Sequence, residues 1–346
     1  MIIKERTVPE EIIVLQALLD RILDTHKAKE SVCREFDRRL AGYKGEMFLN
    51  YPLSFLPSDD FLILHNLRLF DGTHYFQVDT LIINTKFIVL VEAKNMAGTL
   101  YFDPGFNQLI RRNEKGEEAF SDPLLQIKRH RIKMKKWLAR MELSHLPIET
   151  LIVISNPRTI LQSSSDSVHK KVIHTGQLPF HIEALNEKYK REHLGANEAL
   201  ELAQSLVKNN YPRKTNVKEK YGVQPADLIK GVKCPDCGCI PCKREHGKWV
   251  CKHCGMESKD AHVSALRDYA LLIDSKITNR AARDFLIVNS RAAIHRMLTS
   301  LNLPAQGTRR WRVYSLDTLL EGEQTVIVDR KGKLVDRRAK IVDRNL

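Results

Sequence analysis

The chain has 346 residues, with 56 Lys and Arg against 42 Asp and Glu, a formal net charge of +14. Hydrophobic residues make up 43% and charged residues 28%, an ordinary globular mixture with material for about two to three domains, which excludes a disordered chain. No apolar run approaches the roughly 18–20 residues of a membrane helix, and the opening Met-Ile-Ile-Lys-Glu-Arg turns polar at once, so a cytoplasmic protein with no signal peptide and no membrane partner is expected.

Taken in chain order, Ile12, Ile13, Leu15, Leu18, Leu19 and Ile22 recur at helical spacing. From residue 61 the texture changes. Residues 61–69, 75–83 and 87–93 are short apolar or alternating runs separated by Asp71-Gly72-Thr73 and Asn84-Thr85-Lys86, which reads as three strands of a meander. Residues 122–143 read as a long helix and 150–154 as another buried strand. Helix, three strands, helix, strand is an α/β plan around one mixed sheet. Further on, a helix is expected around 197–208, a basic linker over 212–220, and a closing hairpin from 325–328 and 334–335.

The third strand ends in Val91-Glu92-Ala93-Lys94, and side chains two apart on a strand share a face. Asp79 lies on the preceding strand, so pairing through the 84–86 turn brings Asp79 and Glu92 together. Two close carboxylates repel unless a divalent cation neutralises them. Mg²⁺ takes one or two carboxylates and leaves room for water and phosphate oxygens. A lysine beside them can position or deprotonate the attacking water and offset transition-state charge. These are the parts of metal-assisted phosphodiester hydrolysis, although Glu-x-Lys also ends many solvated strands.

Together with Lys44-Gly45-Glu46, Gly98 and Pro123-Leu124-Leu125-Gln126, these residues resemble the NERD (nuclease-related domain) family, a branch of the restriction-endonuclease-like PD-(D/E)xK nucleases, over residues 35–155. The resemblance implies that Glu46, on the first core helix, joins Asp79 and Glu92 as an acidic residue of a Mg²⁺ (or Mn²⁺) site. It also implies that Lys94 is the catalytic lysine and that Gln126 reaches in from the following helix; a plain surface glutamine is the alternative. Where the superfamily often has proline before the aspartate, this chain has Val78. The same helix carries Lys128, Arg129, Arg131, Lys133, Lys135, Lys136 and Arg140 with no acid between, a one-sided charge suited to tracking phosphates.

Six of the seven cysteines lie between 234 and 254. Cys234, Cys237, Cys251 and Cys254 form two C-x₂-C-G knuckles thirteen residues apart, and four thiolates satisfy tetrahedral Zn²⁺ with no open position. A structural zinc ribbon is expected, with a strand over 247–251 and exposed His246 and His253. Cys239 and Cys242 form a third C-x₂-C and stay open as replacements. Resemblance to topoisomerase-type zinc fingers, which occur fused to NERD domains, implies DNA. Cys33 reads as a buried small hydrophobe.

Residues 262–316 hold nine basic and three acidic residues. Thr278-Asn279 can cap a helix over 280–286, Ser290 can cap a second over 291–301, and 309–314 alternates like a strand. The segment resembles a winged helix-turn-helix in which Arg291, His295 and Arg296 face a groove and Arg309, Arg310 and Arg312 meet phosphates. Trp137, Trp249 and Trp311 read as packing anchors.

The expected architecture is a restriction-endonuclease-like mixed sheet flanked by helices, plus a zinc ribbon and a small winged helix-turn-helix. The expected division is an N-terminal helical extension (1–34), the nuclease-like domain (35–155), a helical linker region (156–230), the ribbon (231–260), the winged helix-turn-helix (261–316) and a tail (317–346). The expected function is Mg²⁺-dependent DNA hydrolysis. A non-catalytic DNA-binding protein and an RNA-processing nuclease are the rivals, and oligomeric state is not legible. Residues 1–120 carry 15 basic and 18 acidic residues, so the positive charge lies downstream of the proposed catalytic strands.

Overall fold

A computed structural model describes residues 1–212, 217–308, 311–320, 327–328 and 334–335. In chain order it begins with β1 (Ile2–Lys4), α1 (Glu10–Arg21), α2 (Lys29–Met47), α3 (Asn50–Leu53), β2 (Leu62–Phe70), β3 (Tyr75–Ile83) and β4 (Ile88–Lys94). A charged hairpin region follows, β5 (Thr99–Asp103), β6 (Gln108–Asn113) and β7 (Gly116–Ser121), then α4 (Pro123–Ala139), β8 (Ile148–Ile154), β9 (Ile160–Ser163), α5 (Asp166–His169), β10 (Val172–His174), α6 (Leu178–Lys188) and α7 (Ala196–Lys208). Among the described residues, 1–8 with 40–212 form one compact unit, and 9–39 group with the residues from 217 onward in another.

In the first unit a six-stranded mixed sheet has the order β1-β2-β3-β4-β8-β10. The expected meander is β2–β3–β4, antiparallel and within a residue of its expected bounds; β8 then joins β4 in parallel. Strand alternation decides which side chains meet which helix. Ile88, Leu90, Ile152 and Ile154 pack under Ile127, Met134, Trp137 and Leu138 of α4, while Val89, Val91, Leu151 and Val153 pack with Ile182 and Leu185 of α6. Glu92 and Lys94 continue the first series and so lie on the α4 side. Helix α4 starts where Asp122 accepts the Leu124 amide at 2.8 Å and Pro123 fills a position that needs no amide donor. It ends at Ala139, short of the expected 143, and Glu142 turns left-handed (φ 61°). A second sheet, β7-β6-β5-β9, had no counterpart in the sequence reading; Leu100, Phe102 and Leu109 anchor it to the core.

The second unit contains α1, most of α2, α8 (Val217–Tyr221) and a three-stranded antiparallel sheet of β11 (Lys243–Glu245), β12 (Lys248–Val250) and β13 (Glu257–Ser258). Next come α9 (His262–Leu272), β14 (Lys276–Thr278), α10 (Asn279–Leu286), α11 (Arg291–Ser300), β15 (Ala305–Gln306), β16 (Val313–Ser315) and α12 (Asp317–Leu320). Thr278 and Ser290 cap α10 and α11, each accepting an amide at 3.2 Å, and Ile287 (φ 56°) reverses the chain between them. Trp249, Leu266, Phe285, Ile294, Leu298 and Tyr314 share one core. Helix α1 joins this unit through Arg21, fully buried, whose Nη2 lies 2.8 Å from Asp268 of α9.

Several sequence expectations need correction. Of the strand expected over 309–314, the described part is β16, Val313–Ser315, and Trp311 is 71% exposed, unlike the buried packing anchors Trp137 and Trp249. Cys33 is half-buried. Of the expected linker, 213–216 lie outside the described residues and 217–221 are helical. Arg309 and Arg310 also lie outside them. The closing hairpin is β17 (Ile327–Val328) paired antiparallel with β18 (Leu334–Val335); its expected Lys331-Gly332 turn lies outside the described residues.

Candidate functional site

Strand β4 leaves β3 after the Thr80↔Val91 pair but stays with β8 as far as Lys94↔Ile154. One residue beyond Thr80 on β3, the Asp79 carboxylate takes over the ladder, its Oδ2 accepting the Ala93 amide at 2.9 Å. On the facing strand, Asn66 sits between the His65↔Thr80 and Leu67↔Val78 pairs with a left-handed backbone (φ 50°). A non-glycine residue pays a steric cost there, and such positions cluster at functional sites.

Glu92 is buried at the end of β4. Its Oε1 accepts from Lys94 Nζ at 2.7 Å and from Gln126 Nε2 at 2.6 Å, and Lys94 Nζ also donates to Gln126 Oε1 at 3.1 Å. The three side chains close a ring. One turn along α4 from Gln126, His130 places Nδ1 4.0 Å from the other Glu92 oxygen. Burial, then Lys133, lowers the His130 pKa to about 4, so its ring is neutral at pH 7.

Glu46 enters from the end of α2. A Cβ on Gly45 would lie 2.4 Å from Asn95 Cβ, so glycine is what lets α2 approach the end of β4 this closely. Glu46 Oε2 accepts from Arg6 Nη1 at 2.8 Å and Asn66 Nδ2 at 2.7 Å. Arg6 Nη1 also reaches the Asp79 carbonyl at 3.5 Å, while Nη2 donates to His65 Nδ1 and Thr80 Oγ1, each at 2.9 Å. Burial and the nearby Glu92 push Asp79 up to about 7; burial and Asp79 push Glu46 up to about 7. Carboxylates crowded in this way are stabilised by a proton or a cation. Hard oxygen donors with that need suit Mg²⁺ or Mn²⁺. The acidic trio is looser than the thiol cluster: among the described residues, the only groups with three or more ligand atoms mutually within 4.8 Å involve cysteine.

Glu46, Asp79, Glu92, Lys94 and Gln126 therefore lie in one region of the first unit. Sequence reasoning missed Arg6, Asn66, His65 and His130. The helical spacing of Gln126 and His130 could have flagged the last; nothing local marks Arg6, which arrives from the chain's opening segment.

In the second unit, Cys234, Cys237, Cys251 and Cys254 bring their sulfurs within 4.8 Å of one another, with 3.6 Å between Cys234 and Cys254 and 3.5 Å between Cys237 and Cys251. Tetrahedral Zn²⁺ with bonds near 2.3 Å needs sulfurs ~3.8 Å apart, so the four could hold a structural zinc. Gly238 and Gly255, both at φ 75°, close the knuckles by donating their amide N–H groups to the Cys234 and Cys251 carbonyl oxygens. Amide hydrogen bonds from Cys254 and His253 help lower the Cys251 pKa to about 6. Cys239 and the exposed His253 gather around Cys237, whereas Cys242 is buried in the unit's core.

Of the cations expected to meet nucleic acid, Lys128, Arg129, Arg131 and Lys135 are exposed on α4. Arg140 is engaged elsewhere, donating to the Phe70 and Asp71 carbonyls at the β2–β3 turn. Arg291, Arg312 and His295 line a groove of about 690 Å³ with Arg280 and Arg283, two residues the sequence reading had not assigned to it. Arg296 is exposed but lies outside that lining.

Residues 41–155, the segment that carries all five expected site residues, match the NERD family, described as a nuclease-related domain. No curated protein and no solved structure matches the chain. The match supports a nuclease-like function and an interaction with nucleic acid. It leaves Arg6 and the whole second unit outside. Among the described residues, no helix is long and apolar enough to cross a membrane.

Proposed function

We propose that the protein is a Mg²⁺- or Mn²⁺-dependent nuclease that hydrolyses DNA phosphodiester bonds in the cytoplasm. The observation that carries this reading is the Glu92–Lys94–Gln126 ring set beside the buried Asp79 carboxylate. Asp79 and Glu92 would hold the ion, which supplies charge neutralisation and Lewis-acid polarisation of a phosphate oxygen. The Ala93 amide fixes the rotamer of Asp79. Gln126 fixes both Glu92 and Lys94. Two of the three Lys94 donors are used in the ring, and the third can meet a phosphate oxygen or steer the attacking water. Glu46, tied to Arg6, acts on the field around Asp79.

The C-terminal modules would hold the substrate. The order α9-β14-α10-α11-β15-β16, with sheet order β14-β16-β15, supports a winged helix-turn-helix, and the four-thiol cluster supports a zinc ribbon. With the exposed cations of α4, they offer phosphate contacts that do not depend on base sequence.

The test is incubation of the zinc-loaded full chain with supercoiled plasmid, with and without Mg²⁺, beside Glu92→Ala and Lys94→Ala. Metal-dependent nicking that both variants lose is the expected result. Equal nicking by wild type and variants, or none by any, would overturn the proposal. Faster cleavage of an equal-length RNA duplex would move the substrate from DNA to RNA.

A further inference from the structure

We propose that Arg6 is a built-in counter-cation of the carboxylate cluster, placed so that the site takes one divalent ion and not two. The inference rests on the metal-dependent reading above and specifies its stoichiometry.

Arg6 lies outside the segment that matches the nuclease-related domain, yet its side chain is only 3% exposed and is held from every direction. Nη1 donates to Glu46 at 2.8 Å and lies 3.4 Å from Asn66 Oδ1 and 3.5 Å from the Asp79 carbonyl. Nη2 donates to His65 and Thr80, and Nε lies 3.3 Å from Asn50 Oδ1. A guanidinium keeps its charge in such surroundings, and its planar fork suits several fixed acceptors at once. Every partner of Arg6 is an acceptor: a carboxylate, two amide oxygens, a backbone carbonyl, a hydroxyl and an imidazole nitrogen. The pocket is therefore shaped around a permanent cation between Glu46 and the Asp79 strand.

Charge arithmetic gives the consequence. Glu46, Asp79 and Glu92 bring three negative charges when ionised, and Arg6 and Lys94 bring two positive ones. One divalent ion leaves a single net positive charge to face a phosphodiester. A second would leave three, with Glu46 already committed to Arg6. Two-metal nucleases use the second ion as a symmetric clamp; here a side chain occupies the electrostatic role that ion would have.

The test counts ions. The zinc-loaded full chain is titrated with Mn²⁺ and free ion is read by electron paramagnetic resonance, with sites scored as those lost in Glu92→Gln. Wild type and Arg6→Lys should each bind one Mn²⁺. Glu46→Gln should also bind one, since Glu46 is held by Arg6 and is not a ligand. Arg6→Met, which releases Glu46, should bind a second. Two ions in wild type, loss of the ion in Glu46→Gln, or a folded Arg6→Met still limited to one would overturn the inference while leaving metal dependence intact. No Glu92-dependent ion in wild type would overturn the metal reading and this inference with it. The wild-type and Glu46→Gln counts can each overturn the inference even if Arg6→Met does not fold.

Discussion

Gln126 Nε2 lies 2.6 Å from Glu92 Oε1, so one side-chain amide joins the first turn of α4 to the buried carboxylate near the end of β4. The same amide accepts from Lys94 Nζ through its oxygen, which sets its orientation: the oxygen faces the ammonium and the nitrogen faces the carboxylate. Glutamine satisfies both partners at once. Glutamate would set a second carboxylate against Glu92, and alanine would leave Glu92 and Lys94 held only by each other.

Gln126→Ala should therefore lower Mg²⁺-dependent nicking by roughly 10–100-fold, the range seen when groups that orient a metal site's ligands are removed. Global stability should change little, because Gln126 is half-buried and belongs to no apolar cluster. Single-turnover rates beside urea unfolding curves check both parts. Activity within twofold of wild type would show that the ring does not position Glu92.

Much of this region was legible because strand alternation is a strict rule. Once residues 75–83 and 88–94 are strands, Asp79, Glu92 and Lys94 have few places to go, and the apolar residues of α4 decide which face of that helix Gln126 flanks. The last strand of the second sheet was illegible for a local reason: Gly116–Ser121 is charged and largely exposed, with no alternation to read. Arg6 was illegible for a non-local one. It sits in a polar opening segment some 40 residues before Glu46, and only the parallel pairing of β1 with β2 carries it to the site. The second unit's α1 contribution was hidden likewise, since an arginine on an amphipathic helix does not announce a partner 247 residues away.

That partner gives the next prediction. Arg21 and Asp268 are a buried ion pair, and removing one member strands the other's charge out of water, typically costing 3–5 kcal/mol. Arg21→Met alone should destabilise the chain by about that much. Arg21→Met with Asp268→Leu should recover most of it. A double-mutant cycle by urea unfolding measures the coupling, and additive losses would show that the pair is not linked.

The four-thiol cluster belongs to the same core as Trp249 and Leu266, since Cys234 and Cys251 are themselves buried there. Metal loss should loosen that core as well as the knuckles. Cys234→Ser or Cys254→Ser should release one zinc per chain and quench the buried-tryptophan signature of Trp249. Cys239→Ser and Cys242→Ser should keep the metal, because the Gly238 and Gly255 turns close around the other four. Zinc counting by atomic absorption with tryptophan fluorescence gives both readouts.

Phosphate recognition by the α10–α11 groove predicts a specific salt response. Log affinity for duplex DNA falls linearly with log salt, with a slope near −0.9 per neutralised phosphate. Arg291→Ala and Arg312→Ala, which line the groove, should each make that slope shallower by about 0.9. Arg296→Ala, outside the lining, should change it less. Fluorescence anisotropy at a series of salt concentrations separates them, and equal slopes for all four proteins would remove the groove from the DNA contact.

Finally, His65 ties stability to pH. Burial, then the Arg6 and Lys4 charges, lowers its pKa from 6.5 to about 2, and its Nδ1 must stay unprotonated to accept from Arg6. Between those two values the unfolded chain binds a proton that the folded chain refuses, so stability rises with pH across the window and the gain is complete above about 6.5. From pH 7 to pH 5 this one residue should cost roughly 2 kcal/mol, given about 1.4 kcal/mol per pH unit below 6.5. His65→Gln keeps an acceptor but has no proton to bind, so its deficit relative to wild type should shrink by that amount between pH 7 and pH 5. Urea unfolding of both proteins at the two pH values measures the difference, and a constant gap would mean that His65 titrates normally in the folded chain.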